Sequence, residues 1–265
     1  MTELSERRRG SEEPASSTTE SEGVDVCVKK AVPHVRQAFN WDCGIACVLM
    51  IVQANGLKHV DLGYLRDVCG TTSIWTIDIA HLLRHFGLKV KYFTVTLGAN
   101  PAYADEKFYK DHMHVDEVRV HQLFDLAKDA GIEVFHKSLQ LEELGRICAS
   151  PENLVLILVD KRVLQQGNQR VAASQNTKAA GVTKHAKAAS LLCCGMLGSL
   201  TRSGYIGHYV VLYDYSAETK EYWVKDPASY NSITIVKEAT LEKARKSFGT
   251  DEDLIIVPFS RAGGG

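Results

Sequence analysis

Eight consecutive apolar residues, Ile45 to Val52, follow Cys43 and Gly44 in the stretch "DCGIACVLMIVQANG". Asp42 is suited to cap a helix start, and Asn55-Gly56 to end one, so Asp42–Ala54 reads as a helix. A helix that is apolar on every face has no side to turn to water. It must lie in the middle of a domain, with other layers packed around it. The rest of the chain has to supply those layers, and at 265 residues it is long enough to bury a real core.

The candidate layers follow in order. A helix is expected from about 60 to 68, and another after Thr71-Thr72-Ser73, whose hydroxyls offer caps ahead of "IWTIDIAHLLRHF". "LKVKYFTVT" is β-rich, a short helix is expected over 104–112, and "EVRVHQLFDLAKDA" is a helix closing on Gly131. "IEVFHKS" reads as a strand, "LQLEELGRICA" as a helix, and the unbroken apolar run "NLVLILVD" as a buried strand. "YIGHYVVLYDYS" and "EYWVKDP" form a hairpin pattern around "AETK". The strand "SITIV", the helix "TLEKARKSF" and the strand "DLIIVPF" complete the chain. Helices crowd the first half and strands the second. The expected class is α+β, with the helical half packed on a mainly antiparallel sheet from the C-terminal half.

Residues 27–260 are expected to form a single domain. Residues 1–26 are rich in Ser, Thr, Glu and Arg, too poor in apolar side chains to offset their ordering entropy, and are expected to be a disordered tail. Residues 161–203 carry seven Lys or Arg and no acidic residue, which predicts a long, basic, flexible insertion. Residues 261–265 are expected to be a flexible end. The formal net charge of −1 gives no pull toward nucleic acid or anionic membrane. No apolar run approaches the length of a membrane span, and the N-terminus lacks the apolar core of a secretory signal. Seven cysteines, an odd number, suit free thiols in a reducing compartment, so cytoplasmic placement is expected, with the nucleus open.

Cys43 stands in the opening turn of its helix, where the positive end of the helix favours a thiolate. Gly44, without a side chain, would let a substrate approach the sulfur. A thiolate also needs an imidazolium. His208, behind Gly207 at the mouth of a predicted strand, is the best placed of the ten histidines. Asp226 follows at the end of the partner strand, its backbone held extended by Pro227, and suits the role of orienting carboxylate. Gln37, six residues before Cys43, would donate to an oxyanion alongside the Cys43 backbone N–H. Trp41 and Asp42 complete the expected substrate cleft with Gly44 and Gly207.

Taken together, Gln37-x5-Cys43-Gly44, then "GHY", then Asp226-Pro227, resembles the papain-like superfamily, and most closely the bacteriocin-leader peptidase domain of ABC exporters. More narrowly, "FNWDCGIACVLM", "SIWTIDIAHLL", "YFTVTLGANP", "FYKDH", "GHYVVLYDY", "KDPAS" and "ARKSFGTDEDL" resemble the eukaryotic guanylyl cyclase, or guanylyl cyclase domain-containing, family, in its plant form. The resemblance runs from about residue 33 to 259, and the 161–203 segment is longer and more basic than it leads one to expect. It implies a papain-like fold with Cys43 as nucleophile, His208 as base, Asp226 as orienter and Gln37 as oxyanion donor.

Three functions follow as expectations. The first is a cysteine-dependent hydrolase acting on a peptide or protein substrate, with no cofactor and no metal. The second is the activity the family name asserts, conversion of GTP to cyclic GMP with Mg²⁺ or Mn²⁺. Lys91 and Lys107 would then reach phosphates and Asp105 or Glu106 would hold the ion, although a strand, a turn and a short helix explain that segment without a ligand. The third is an inactive peptidase fold serving as a binding module. Other chemistry-bearing residues have plainer readings. Cys47 belongs to the core, His81 and His85 to a partly exposed helix face, His112 and His114 to the surface, and Trp75 to packing. Cys193-Cys194 cannot easily chelate one ion. Oligomeric state is open.

Overall fold

The computed structural model describes residues 30–103, 113–167 and 204–259. The expectations for residues 1–26, the 104–112 helix, residues 168–203 and 261–265 concern segments outside the described residues.

The central helix forms as expected. It is α1, Cys43–Ala54, and every residue from Cys43 to Val52 is buried. Its start differs from expectation in one respect. Asp42 occupies the cap position with φ −93° and ψ 21°, not the extended backbone that aims a cap side chain into the helix. Its carboxylate turns back instead and accepts from the Phe39 and Ala38 N–H groups at 2.9 and 3.3 Å. Helices α2 (Leu62–Cys69) and α3 (Thr76–His85) follow. Asp61 caps α2 by accepting from Tyr64 N–H at 2.9 Å, and Gly70 ends it in the left-handed conformation. The Thr71-Thr72-Ser73 hydroxyls do not cap α3. Its cap residue is Trp75, whose N–H donates to Asp78 at 2.9 Å, because Ser73 is drawn away to donate to Asp116.

Strand β1 (Val90–Thr94) comes next, then a short 3-10 turn at Pro101–Tyr103, α4 (Met113–Leu126), β2 (Ile132–His136), α5 (Leu141–Ala149) and β3 (Asn153–Asp160). Residues 161–167, expected to open a flexible insertion, continue from β3 as helix α6, with Leu164 buried. After residue 203 come β4 (Gly207–Ser216), β5 (Glu221–Lys225), β6 (Thr234–Lys237), α7 (Glu238–Arg245) and β7 (Leu254–Pro258).

The seven strands make one sheet in the order β2-β1-β7-β3-β4-β5-β6. All neighbours are antiparallel except β1 and β2, which run parallel across the crossover containing α4. The sheet is thus not drawn from the C-terminal half alone: β1 and β2 extend one edge. Strand β3 lies near its middle and alternates cleanly. Leu154, Leu156 and Leu158 join α1 and α3 on one face, while Val155, Ile157 and Val159 meet residues of α5 and α7 on the other. Both faces are covered, which accounts for the continuous apolar run in β3. The class is α+β. The helix headed by Cys43 rests against the sheet on the strand carrying His208.

Candidate active site

Three stretches far apart in the chain build the site. α1 presents Cys43 in its first turn, where backbone N–H groups have no helical partner. β4 presents His208 as its second residue, opposite Val159. Asp226 follows directly on the last residue of β5. The strap from residue 30 to 42 ties these together. His34 donates from Nε2 to the Asp226 carbonyl at 3.0 Å, and the Gln37 N–H donates to the Pro227 carbonyl at 3.0 Å. Lys30, at the start of the strap, is anchored on the Cys148 and Asn153 carbonyls at 2.9 and 2.6 Å.

His208 and Asp226 meet through Nε2 and Oδ1 at 2.7 Å, and Oδ1 also accepts from the Ala228 N–H at 2.8 Å. That leaves the other ring nitrogen for Cys43, with which His208 shares a side-chain hydrogen bond. Burial disfavours the imidazolium. The hydrogen bonds to Asp226 and Cys43 and their negative charges outweigh it, and His208 is held up to about 9. Burial also opposes ionisation of Cys43, yet its thiol is lowered. The hydrogen bond and charge of His208 lower it, as do the Tyr209 and Gly44 backbone N–H groups. Asp226 is lowered as well: burial is overcome by the His208 hydrogen bond and charge, by Ala228 N–H and by the charge of Lys161. These directions agree in favouring the thiolate–imidazolium form of the pair, with a carboxylate behind it.

The other expected residues divide. Gly207 is half-buried and pairs with Asp160 at the start of β4. Gln37 lies beside the site, but its side-chain Nε2 donates to the Phe39 carbonyl at 2.6 Å, which occupies one of its two amide protons. Gln37 Oε1 is buried with no hydrogen-bond partner. Gly44 does not keep a path open for substrate. A Cβ there would stand 2.7 Å from Ile79 Cδ1 and 3.1 Å from Tyr209 Cδ2, so the glycine lets α1 press against α3 and β4. Asp42 is fully buried and shapes the strap rather than lining a cleft. Its second contact is Arg66, at 3.9 Å. Trp41 is half-buried, stacks on Phe39 at 5.8 Å, and walls an open pocket of about 720 Å³ with Gly63, Arg66, Asp67, Gly70, Thr71 and Thr72.

Cys47, one turn along α1, donates to the Tyr209 carbonyl at 3.4 Å, and burial pushes its thiol well up, as suits a core residue. His81 and His85 are each engaged, with the Leu123 carbonyl at 2.9 Å and the Tyr64 hydroxyl at 3.3 Å. Trp75 is buried and donates from its indole to Asp116 at 3.0 Å, and His114 is exposed. Of the nucleotide-binding expectation, Lys91 is exposed on β1, while Asp105, Glu106 and Lys107 lie outside the described residues. Among the described residues no three His, Cys, Asp or Glu side chains are grouped so as to hold a metal ion. Among the described residues no helix is long and apolar enough to cross a membrane.

Sequence reasoning missed His34, Tyr209 and Lys161, which act on the site through a carbonyl, a backbone N–H and a through-space charge. Adjacency of Tyr209 to His208 was the one signal available.

The family model described as guanylylate cyclase matches residues 32–257. Guanylyl cyclase 1 of Arabidopsis thaliana is 38% identical over 226 residues, covering 85% of this chain and 75% of that protein. Among solved structures, a C39-like peptidase from Bacillus anthracis is similar at 13% identity and a TM-score of 0.46, covering 86% of this chain and 94% of that one.

Proposed function

We propose that this chain, which belongs to the guanylylate cyclase family, is a cysteine-dependent hydrolase of peptide or isopeptide bonds. The observation that carries the reading is the chain of contacts Cys43–His208–Asp226, with His208 and Asp226 joined at 2.7 Å and the thiol lowered against the effect of its own burial. The thiolate of Cys43 adds to the substrate carbonyl carbon. The oxyanion that forms is met by the first-turn N–H of Cys43 and the amide proton of Gln37 not given to Phe39. His208, as imidazolium, passes its proton to the departing amine and then takes one from the water that cleaves the thioester. Asp226 holds the ring by Nε2 throughout, so that the opposite nitrogen faces sulfur. Placement in the cytoplasm belongs to the same reading, since a reducing compartment keeps free thiols reduced.

The family description and the relative's name assign cyclase chemistry to those proteins. Cyclisation of GTP calls for a divalent ion on carboxylates and cations on the triphosphate. Among the described residues, Asp78 and Asp116 both bind Arg119, Asp251 Oδ1 accepts from Thr96, Asn100 and Tyr103, and burial pushes the carboxyl of neighbouring Asp253 up to about 8, which favours its neutral form. They do not fit an Mg²⁺ or Mn²⁺ site.

The test is covalent capture. A peptidyl vinyl sulfone incubated with the purified protein is expected to add one equivalent to Cys43, and Cys43→Ala or His208→Ala to abolish the adduct along with cleavage of fluorogenic peptides. Labelling that persists in Cys43→Ala, or cyclic GMP formation by a Cys43→Ser protein that cleaves nothing, would overturn the proposal.

A further inference from the structure

The open pocket lined by Trp41 contains none of the three reacting side chains, but the chain itself ties it to them. Trp41, its wall, is two residues from Cys43, and Asp42 between them is bound to Arg66 of the opposite wall at 3.9 Å. Its volume of about 720 Å³ lies within the usual range for ligand pockets. Gly70 has φ +67° and nothing within 4 Å of where a Cβ would stand, so the backbone around it is open to an extended chain.

Charge decides what it takes. Arg66 is spoken for: its guanidinium faces Asp42, donates from Nε to the Leu62 carbonyl at 3.0 Å, and lies 5.0 Å from the Phe39 ring centre. Asp67, the next residue, is exposed and forms no ion pair among the described residues. Asp42 and Arg66 cancel, and the carboxylate of Asp67 is left as the net charge of the pocket. Trp41 adds an aromatic surface, and Thr71 and Thr72 add hydroxyls. An aromatic wall with an unpaired carboxylate is the chemistry that receives a cation on an alkyl stem.

We propose that this pocket is a substrate side-chain site selecting lysine or arginine near the cleaved bond. The proposal rests on the hydrolase reading for its purpose but not for its test. In Cys43→Ala protein, which cannot react, an NMR titration compares acetyl-Gly-Lys-Gly-amide with acetyl-Gly-Glu-Gly-amide. The lysine peptide is expected to shift the Gly63, Gly70, Thr71 and Thr72 amides and to bind roughly tenfold more tightly, the product of a cation–aromatic contact and an exposed ion pair. Asp67→Asn is expected to bring the two peptides level, and Asp67→Lys to reverse their order. Equal binding, shifts confined to other residues, or an unchanged ratio in both variants would overturn the proposal. In the intact enzyme, vinyl sulfones differing only in that residue score the two ideas separately. Lysine-selective labelling of Cys43 supports both, unselective labelling sinks the pocket alone, and no labelling sinks the hydrolase while the titration still decides the pocket.

Discussion

Replacing Asp226 by asparagine isolates the charge of the carboxylate from its hydrogen bonds. In the native site one oxygen, Oδ1, receives both His208 Nε2 at 2.7 Å and the Ala228 N–H at 2.8 Å. An asparagine with its Oδ1 in that place keeps both bonds and loses only the negative charge, whereas alanine loses everything. A hydrogen bond to a charged partner contributes about 1.5–3 kcal/mol, or about one to two pH units for the group it favours, and a neutral acceptor about half of that. The sign follows from the pair. Asp226 stabilises the imidazolium form of His208, whose hydrogen bond and charge lower Cys43, so removing it must drive the Cys43 ionisation upward. The measurement is the pH dependence of Cys43 alkylation by iodoacetamide, followed by intact mass, with Cys43→Ala protein as the blank for the other thiols. The midpoint is expected to rise by about one unit in Asp226→Asn and by about two in Asp226→Ala. The same midpoint in Asp226→Ala as in the native protein would refute the reasoning, because the imidazole would then owe nothing to the carboxylate.

Other expectations concern what surrounds these three side chains. Gly44→Ala pushes a methyl against Ile79 and Tyr209, and overpacking of about 1–3 kcal/mol is expected, less the up to about 1 kcal/mol alanine gains in a helix. Urea denaturation reads the loss, and a variant as stable as the native protein would show that α1 can move away from the sheet. Asp42→Asn turns an amide N–H toward the Ala38 or Phe39 N–H and should cost about 1–3 kcal/mol, a drop of about 2–4 °C per kcal/mol in thermal midpoint for a chain of this size. An unchanged midpoint would mean the strap does not depend on that carboxylate. Asp253 is buried, and burial raises its carboxyl to about 8. The folded state therefore retains a proton that the unfolded chain releases, and stability falls as pH rises from the ordinary carboxylate range through about 8. Asp253→Asn should flatten that fall in thermal midpoints taken from pH 4 to 9, and an unaltered slope would exclude Asp253 as its source.

Legibility followed the range of the interaction. The buried centre of the fold was evident in Ile45 to Val52, because a helix without a polar face has only one place to go. β3 was equally plain, since its apolar run leaves no residue for water. Local pattern also placed Cys43 at a helix start, His208 at a strand mouth and Asp226 at a strand end, and so named the three groups that meet. It failed where side chains had a choice of partners. Asp42 has the composition of a cap, but the strap's Ala38 and Phe39 N–H groups won its carboxylate. Gly44 looked like an opening for substrate, and Ile79 and Tyr209 fill the space. The parallel pairing of β1 with β2 had no local sign at all.

The sequence by itself determined which segments coil, which extend, which are buried, and which residue types are available for chemistry. Those properties depend on neighbours within a turn or two of chain. Tertiary structure alone decided that a sulfur at position 43, an imidazole at 208 and a carboxylate at 226 share hydrogen bonds, that His34 holds the Asp226 main-chain carbonyl while Lys161 bears on its carboxylate, and that Trp41 and Asp67 face one pocket. Such meetings are set by the joint packing of helices on both faces of a seven-stranded sheet. No single stretch of chain carries the energy of that packing, so none can announce its result.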